Sequence, residues 1–269
     1  MLDCVGSTEA DLLLEAQALG RLTAALGAPA SGLMVIGATA RNILSVGLFG
    51  RLPQRGTRDV DIAVAVASWS AYERATATLR RRAGVHAFTV EVDGVHVPVD
   101  VVPYGGIEAV DRTVDLPDDH RLNVLGLREA FATAQTARLP GDVQVRVPTV
   151  PGLTLLKLVA WSERHLLHRR DAVDLDEIIG WYAQGRFLDA LYADVALLEL
   201  YDFDIELAAA HRLGTDVSAL LSPAAHVAIE ALLGQDRRAR LAGDMLRSAT
   251  RHPHRLDALA NGFGAEVAS

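Results

Sequence analysis

The stretch Arg55-Gly56-Thr57-Arg58-Asp59-Val60-Asp61-Ile62-Ala63-Val64-Ala65-Val66 decides how this chain is read. Its apolar run predicts a half-buried strand from Asp59 to Val66. Along a strand, residues i and i+2 point to one face, so Asp59 and Asp61 stand side by side at one end. Two carboxylates that close repel each other. A divalent cation between them removes the repulsion. Mg²⁺ prefers oxygen ligands and commonly takes one or two carboxylates plus substrate phosphates. The pair therefore points to metal-assisted chemistry on a nucleoside triphosphate. Arg55 and Arg58 flank it, as neutralising charges or as contacts to the triphosphate. Thr57 is expected to brace the loop through a local side-chain hydrogen bond.

Asp100 is the candidate third ligand. It sits in the apolar segment Val97-Pro98-Val99-Asp100-Val101-Val102, where a charge is rare unless paired or metal-bound. Three carboxylates on adjacent strands suit a two-ion clamp, with ions about 3.5–4 Å apart. The alternative is that Asp59 and Asp61 bind loop amides and Asp100 pairs with an arginine. Gly37-Ala38-Thr39-Ala40-Arg41 follows a strand and opens a helix, and unpaired N–H groups there form a phosphate cradle. Gly37 lets a phosphate approach, Ala38 continues the cradle, Thr39 adds a hydroxyl and Arg41 a charge. The alternative is an ordinary strand-to-helix turn.

Composition narrows the field. The chain has 269 residues, half of them apolar, which is enough for one large or two modest domains and excludes a disordered protein. A net charge of -8 argues against coating nucleic acid by bulk charge, though not against a local basic groove. Cys4 is the only cysteine, so no intrachain disulfide or cysteine-based zinc site forms. Asp3, Glu9 and Asp11 interrupt the N-terminus, and no apolar run is long enough to span a membrane. A cytoplasmic protein with no membrane contact is expected.

The expected fold is α+β. A small mixed β-sheet with flanking helices fills residues 1–149, and a mostly helical domain fills 150–269 and completes the active-site cleft. The first part reads as a helix Thr8–Leu26 with a capping-box-like start at Thr8 and Asp11, a strand Leu33–Ile36, a helix Ala38–Val46 and the Asp59–Val66 strand. A helix capped by Ser70 and Glu73 follows, ending near Arg82. Val85–Val102 reads as a hairpin turning at Asp93-Gly94, with Pro98 arguing against a central strand. Val143–Val147 is the last strand. Helices are then expected over Leu153–Leu167, Asp171–Gln184, Phe187–Leu198, Asp204–Leu213, Pro223–Leu233 and Arg237–Arg251.

In the helical part, Lys157, Trp161, Arg164 and His168 recur at spacings of three or four and share a helix face. Asp171 and Asp174 also share one. Lys157 and Arg164 are candidate phosphate contacts; the alternative is a pair of helices held by Arg–Asp bridges around a core Trp161. Arg164, His165, His168, Arg169 and Arg170 form a basic patch, one that an RNA acceptor would use for docking without sequence reading.

A strand ending in Gly37, a short helix with Ala40-Arg41, then Arg55-x-Thr57-x-Asp59-x-Asp61, resembles the polymerase-β-like nucleotidyltransferase superfamily. Lys157-Leu158-Val159-Ala160-Trp161, Arg164 and Arg170-Asp171-Ala172-Val173-Asp174-Leu175 bring it closest to the AbiEii-type nucleotidyl transferase toxins. The likeness covers roughly residues 30–180. One departure is Gly37-Ala38, where the superfamily has Gly-Ser or Gly-Gly. The resemblance implies a Mg²⁺-dependent transferase with two ions that moves a nucleoside monophosphate from an NTP to an acceptor hydroxyl. Asp59, Asp61 and Asp100 would hold metal, Lys157 and Asp171 would join the catalytic set, and RNA or tRNA would be the acceptor of a toxin that has an antitoxin partner. Two other readings stay open. One is adenylylation of a small aminoglycoside-like acceptor. The other is a non-catalytic, nucleotide-sensing or partner-binding protein of the same fold.

Overall fold

The computed structural model describes residues 1–27, 32–52, 57, 59–245 and 254–264. The chain divides into two compact units, Met1–Thr149 and Val150–Ser269. The first is mixed α/β and the second helical.

The first unit opens with a two-residue strand β1 (Leu2–Asp3) and helix α1 (Ala10–Leu26). Leu12, Leu19 and Leu22 repeat at helical spacing and are fully buried, which fixes the inner face of α1. Strand β2 (Leu33–Ile36) leads directly into helix α2 (Gly37–Phe49). Strand β3 (Val60–Val66), helix α3 (Trp69–Thr76), strands β4 (Arg80–Arg81), β5 (Ala87–Val92) and β6 (Val95–Gly105) follow. These strands make one sheet in the order β2-β3-β6-β5-β4. The β3–β6 pair is parallel and the other pairs are antiparallel. A hairpin β7 (Thr113–Asp115) and β8 (Arg121–Asn123), helix α4 (Leu127–Ala132) and strands β9 (Gln135–Leu139) and β10 (Val143–Val147) complete the unit. β9 lies between β1 and β10 in a small second sheet.

Local chemistry explains both agreements and departures. The hairpin turns at Asp93 and Gly94, whose φ angles of 48° and 82° suit the twist of the two strands. Contrary to expectation, Pro98 lies inside a central strand. It is tolerated because the β3 ladder joins β6 only at Val99, one residue later. α3 is capped by Ser68, not Ser70: the Ser68 hydroxyl accepts from the Ala71 N–H at 3.2 Å. That helix stops at Thr76, and Arg80–Arg81 pair with β5 instead of prolonging it. α1 begins at Ala10 without a side-chain cap, so the expected Thr8 start does not form.

The second unit comprises α5 (Val150–Arg164), α6 (Arg170–Trp181), α7 (Gly185–Tyr192), α8 (Val195–Leu200), α9 (Ile205–Ser218), α10 (Pro223–Leu232), α11 (Gln235–Met245) and α12 (Arg255–Gly264). The single helix expected over Phe187–Leu198 is two. Asp194 accepts from the Leu197 N–H and so caps a new helix there. α12 packs closely on α9: a side chain at Gly262 would collide with the His211 carbonyl oxygen, 1.9 Å from the added carbon. Among the described residues no helix is long and apolar enough to cross a membrane.

Beneath α2 lies a polar chain that the apolar pattern of α1 conceals. Glu15 is only 5% exposed. Its Oε1 accepts from Asn42 Nδ2 at 2.7 Å, and Asn42 Oδ1 accepts from Arg41 Nη2 at 3.0 Å. Burial pushes the Glu15 carboxyl up to about 8, against the pull of the Asn42 hydrogen bond. A carboxyl raised on folding favours the folded state fully below its unfolded value and loses that contribution as pH climbs through its folded one. Glu15→Gln keeps the acceptor and cannot ionise. It should gain on the parent between about pH 4.5 and 8, by something on the order of 3 kcal/mol. Urea unfolding across that range measures the gap, and a gap independent of pH contradicts the assignment.

Candidate active site

The two strands bearing the predicted acids are neighbours in the five-stranded sheet. β3 and β6 run parallel with Asp61 opposite Asp100. Both carboxylates therefore leave the same face of adjacent strands. Val60, Ile62 and Val64 point to the opposite face and are buried, whereas Asp61 and Asp100 are half-buried. One sheet face thus builds the core and the other presents acid.

On the other side of β3, Ile36 of β2 is opposite Asp61, and Gly37 comes next. Gly37 has φ 64°, and a Cβ added there would lie 2.0 Å from Asp61 Oδ2. Glycine at 37 makes room for the Asp61 carboxylate as well as taking a left-handed backbone. α2 begins at this residue, and Ile36 supplies no side-chain cap to it. The positive end of a 13-residue helix thus starts beside an acidic row.

The other cradle residues are placed differently from expectation. Ala38 is buried. Thr39 is fully buried, and its hydroxyl donates to the Asp59 carbonyl oxygen at 3.2 Å, tying α2 to the start of β3. Arg41 is also fully buried and donates to Asn42, so its guanidinium belongs to the polar chain under α2 and not to an open phosphate surface. Asp59 is exposed, and its carboxylate accepts a hydrogen bond from the Thr57 hydroxyl. Arg55 and Arg58 lie outside the described residues. Among the described residues no group of three or more His, Cys, Asp or Glu side chains is placed to hold a metal ion. The structure brings Asp61 and Asp100 together and leaves Asp59 on Thr57.

The helical unit carries its own charged set. Lys157 on α5 is 4% exposed. Its Nζ donates to Asp171 Oδ1 at 3.0 Å and to Asp174 Oδ2 at 2.6 Å, both on α6. Arg164 closes the set, donating to both Asp171 oxygens at 3.0 and 3.2 Å from a half-exposed position. Two cations and two carboxylates balance in charge. Buried pairs of this kind cost about 3–5 kcal/mol when one partner is removed, because the other charge is stranded. Asp174 is bound to Lys157 more closely than Asp171 is, where the sequence suggested only Arg–Asp bridges between the helices.

Trp161 of the same helix face is core, 1% exposed. Its Nε1 donates to Asp244 Oδ2 at 3.0 Å, and Arg169 pairs with the other oxygen at 3.1 Å. His165 Nε2 meets Arg240 at 3.1 Å. Sequence reading missed Asp244 because it lies on α11, far along the chain from α5. It missed Glu15 because the residue sits within an apolar stripe.

One family model, nucleotidyl transferase AbiEii toxin, type IV TA system, matches residues 21–261. The match spans most of the 269 residues and extends well beyond residues 30–180, where the motifs lie. No curated protein matches the chain.

Gly37→Ala tests the contact between α2 and the acid row. The new methyl meets the Asp61 carboxylate, and alanine is strained at φ 64°. The expected outcome is a loss of about 1–3 kcal/mol in urea unfolding, together with displacement of Asp61. An alanine variant as stable as the parent shows that Asp61 turns aside freely, and contradicts the tight fit.

Proposed function

The chain belongs to the AbiEii nucleotidyl transferase toxin family, and from that membership we propose a Mg²⁺-dependent transfer of a nucleoside monophosphate from an NTP to an acceptor hydroxyl. The observation that carries the reading is the register of Asp61 against Asp100 beside Gly37. Two oxygen donors side by side on a half-buried sheet face suit Mg²⁺, which takes few protein carboxylates and fills its shell with substrate phosphates and water. Asp61 and Asp100 would hold the ion, and Asp59 would join them by exchanging its hydrogen bond with Thr57. Bound there, Mg²⁺ would supply neutralisation of triphosphate charge.

The remaining work falls to the chain itself. Asp100 accepts the proton of the acceptor hydroxyl. That oxygen forms a bond to the α-phosphorus, the bond from α-phosphorus to the bridging oxygen breaks, and pyrophosphate leaves. The N-terminal end of α2, which has no side-chain cap from Ile36, favours the phosphate charge. Positioning and charge neutralisation are the main contributions in transfers of this type. Thr39 and the Glu15–Asn42–Arg41 chain hold α2 and the start of β3 in place. Lys157 and Asp171 remain in the catalytic set through the family resemblance, with Asp174 as the partner that fixes the lysine ammonium. RNA, with tRNA as one form, is the proposed acceptor, and an antitoxin the proposed partner.

The test is label transfer. The protein is incubated with Mg²⁺ and each α-labelled NTP, with total RNA in one arm and an aminoglycoside in another. Label should move to RNA, and Asp61→Asn or Asp100→Asn should lower the rate by about 100-fold or more. Label on the aminoglycoside assigns the small-molecule reading. No transfer with any nucleotide from a folded sample contradicts nucleotidyl transfer.

A further inference from the structure

Between Phe187 and His211 the sequence holds six carboxylates and no lysine or arginine. That stretch runs through the end of α7, all of α8, the turn after it and the first half of α9. Its charge is not matched by a polar surface. Tyr192, Val195, Leu200 and Phe203 are 54%, 54%, 64% and 61% exposed. Tyr192 ends α7, Val195 and Leu200 lie on the two flanks of the outward side of α8, and Phe203 stands in the turn after it, while Leu191, Leu197 and Leu198 are buried. Scattered single apolar residues on a surface are ordinary; a series on one short segment marks an interaction site.

The backbone adds an independent observation. Asp202 and Phe203 have φ angles of 50° and 63°, the left-handed region that a bulky side chain rarely adopts. The turn is held there by Phe203 N–H to the Leu198 carbonyl and Asp204 N–H to the Tyr201 carbonyl, both at 2.8 Å. A strained turn that directs an aromatic residue into water brings no packing gain within the described residues, and strain of this kind gathers at binding sites. Asp189, Glu199 and Asp202 are exposed along the same segment. The face combines exposed apolar side chains with an excess of negative charge; Arg186 on α7 and Arg212, which pairs with Asp194 at 3.5 Å, are the cations at its edges.

We propose that this face docks a cationic amphipathic helix of a partner protein. The helix would lay its apolar side over Tyr192, Val195, Leu200 and Phe203 and set lysines or arginines against Asp189, Glu199 and Asp202. Such an occupant satisfies both halves of the surface, as helix-in-groove recognition with charge pairing at the rim does elsewhere. Nucleic acid is disfavoured by the net negative charge. The proposal is independent of the nucleotidyl transfer reading.

The probe is a synthetic leucine/lysine amphipathic peptide about four helical turns long, titrated calorimetrically into the full chain at about 0.15 M salt. A leucine/glutamate peptide of the same pattern is the control. The leucine/lysine peptide should bind and the control should not. Leu200→Ser with Phe203→Ser should weaken binding about tenfold or more, and Leu166→Ser with Leu167→Ser, an exposed apolar pair elsewhere, should leave it unchanged. Asp189→Lys with Glu199→Lys, which leaves the apolar strip intact, should weaken it as well and covers the case in which the serine variant fails to fold. Equal binding by parent and both face variants, or no binding, overturns the proposal. So does a concentration-dependent dimer that Leu200→Ser with Phe203→Ser disperses, since the occupant is then a second copy.

Discussion

Two carboxylates held opposite one another on parallel strands are the constraint around which the first unit is arranged. Asp61 and Asp100 share a sheet face because β3 and β6 pair in that register, and a shift of one residue would turn one of them into the core. The hydrophobic run on the other face, Val60, Ile62 and Val64 against Val99 and Val101, holds the register. Gly37 follows from the same constraint: any side chain there would displace the Asp61 carboxylate. α2 then starts beside the Asp61 carboxylate, with its positive end toward the acid row. Thr39 fastens that helix to the carbonyl of Asp59, and Glu15 with Asn42 and Arg41 fills the interior beneath it.

The helical unit solves the opposite problem. Its charges are already matched, with Lys157 buried between Asp171 and Asp174 and a half-exposed Arg164 donating to both oxygens of Asp171. A set of this kind contributes little net stability against an apolar replacement, yet it is costly to break. Elsewhere in this unit negative charge is in excess, along the α7–α8 segment, together with exposed apolar residues. Balanced charge inside and unbalanced charge outside separate a set built within the chain from a face suited to another molecule.

Much of this was legible in the sequence where the signal is local. The strand ending at Val66, which begins at Val60 and leaves Asp59 just before it, the Asp93-Gly94 turn and the α5 face carrying Lys157 and Trp161 follow from residue spacing alone. The α+β architecture follows from the order of those elements, and the family match agrees with the resemblance read from the motifs. What was not legible is non-local or competes with a stronger neighbour. The opposition of Asp61 and Asp100 depends on pairing between distant strands. Arg41 looked like a surface charge because nothing near it in sequence shows that Glu15 and Asn42 enclose it. Ser68 outcompeted Ser70 as a cap by two residues, and Asp194 split a periodic run that apolar spacing alone would join. Gly37 was read as an approach for phosphate, yet its nearest neighbour is Asp61, a contact set by strand pairing.

Manganese, which is paramagnetic and takes oxygen ligands as magnesium does, reports on the acid pair without any acceptor. Electron paramagnetic resonance of Mn²⁺ titrated into the protein with a non-hydrolysable nucleoside triphosphate gives the affinity of the site. Nucleotide-dependent uptake by the parent chain should weaken about tenfold or more in both Asp61→Asn and Asp100→Asn. Uptake that persists unchanged in both variants, or that is missing from a folded parent chain, would mean that the opposed carboxylates do not form a metal site.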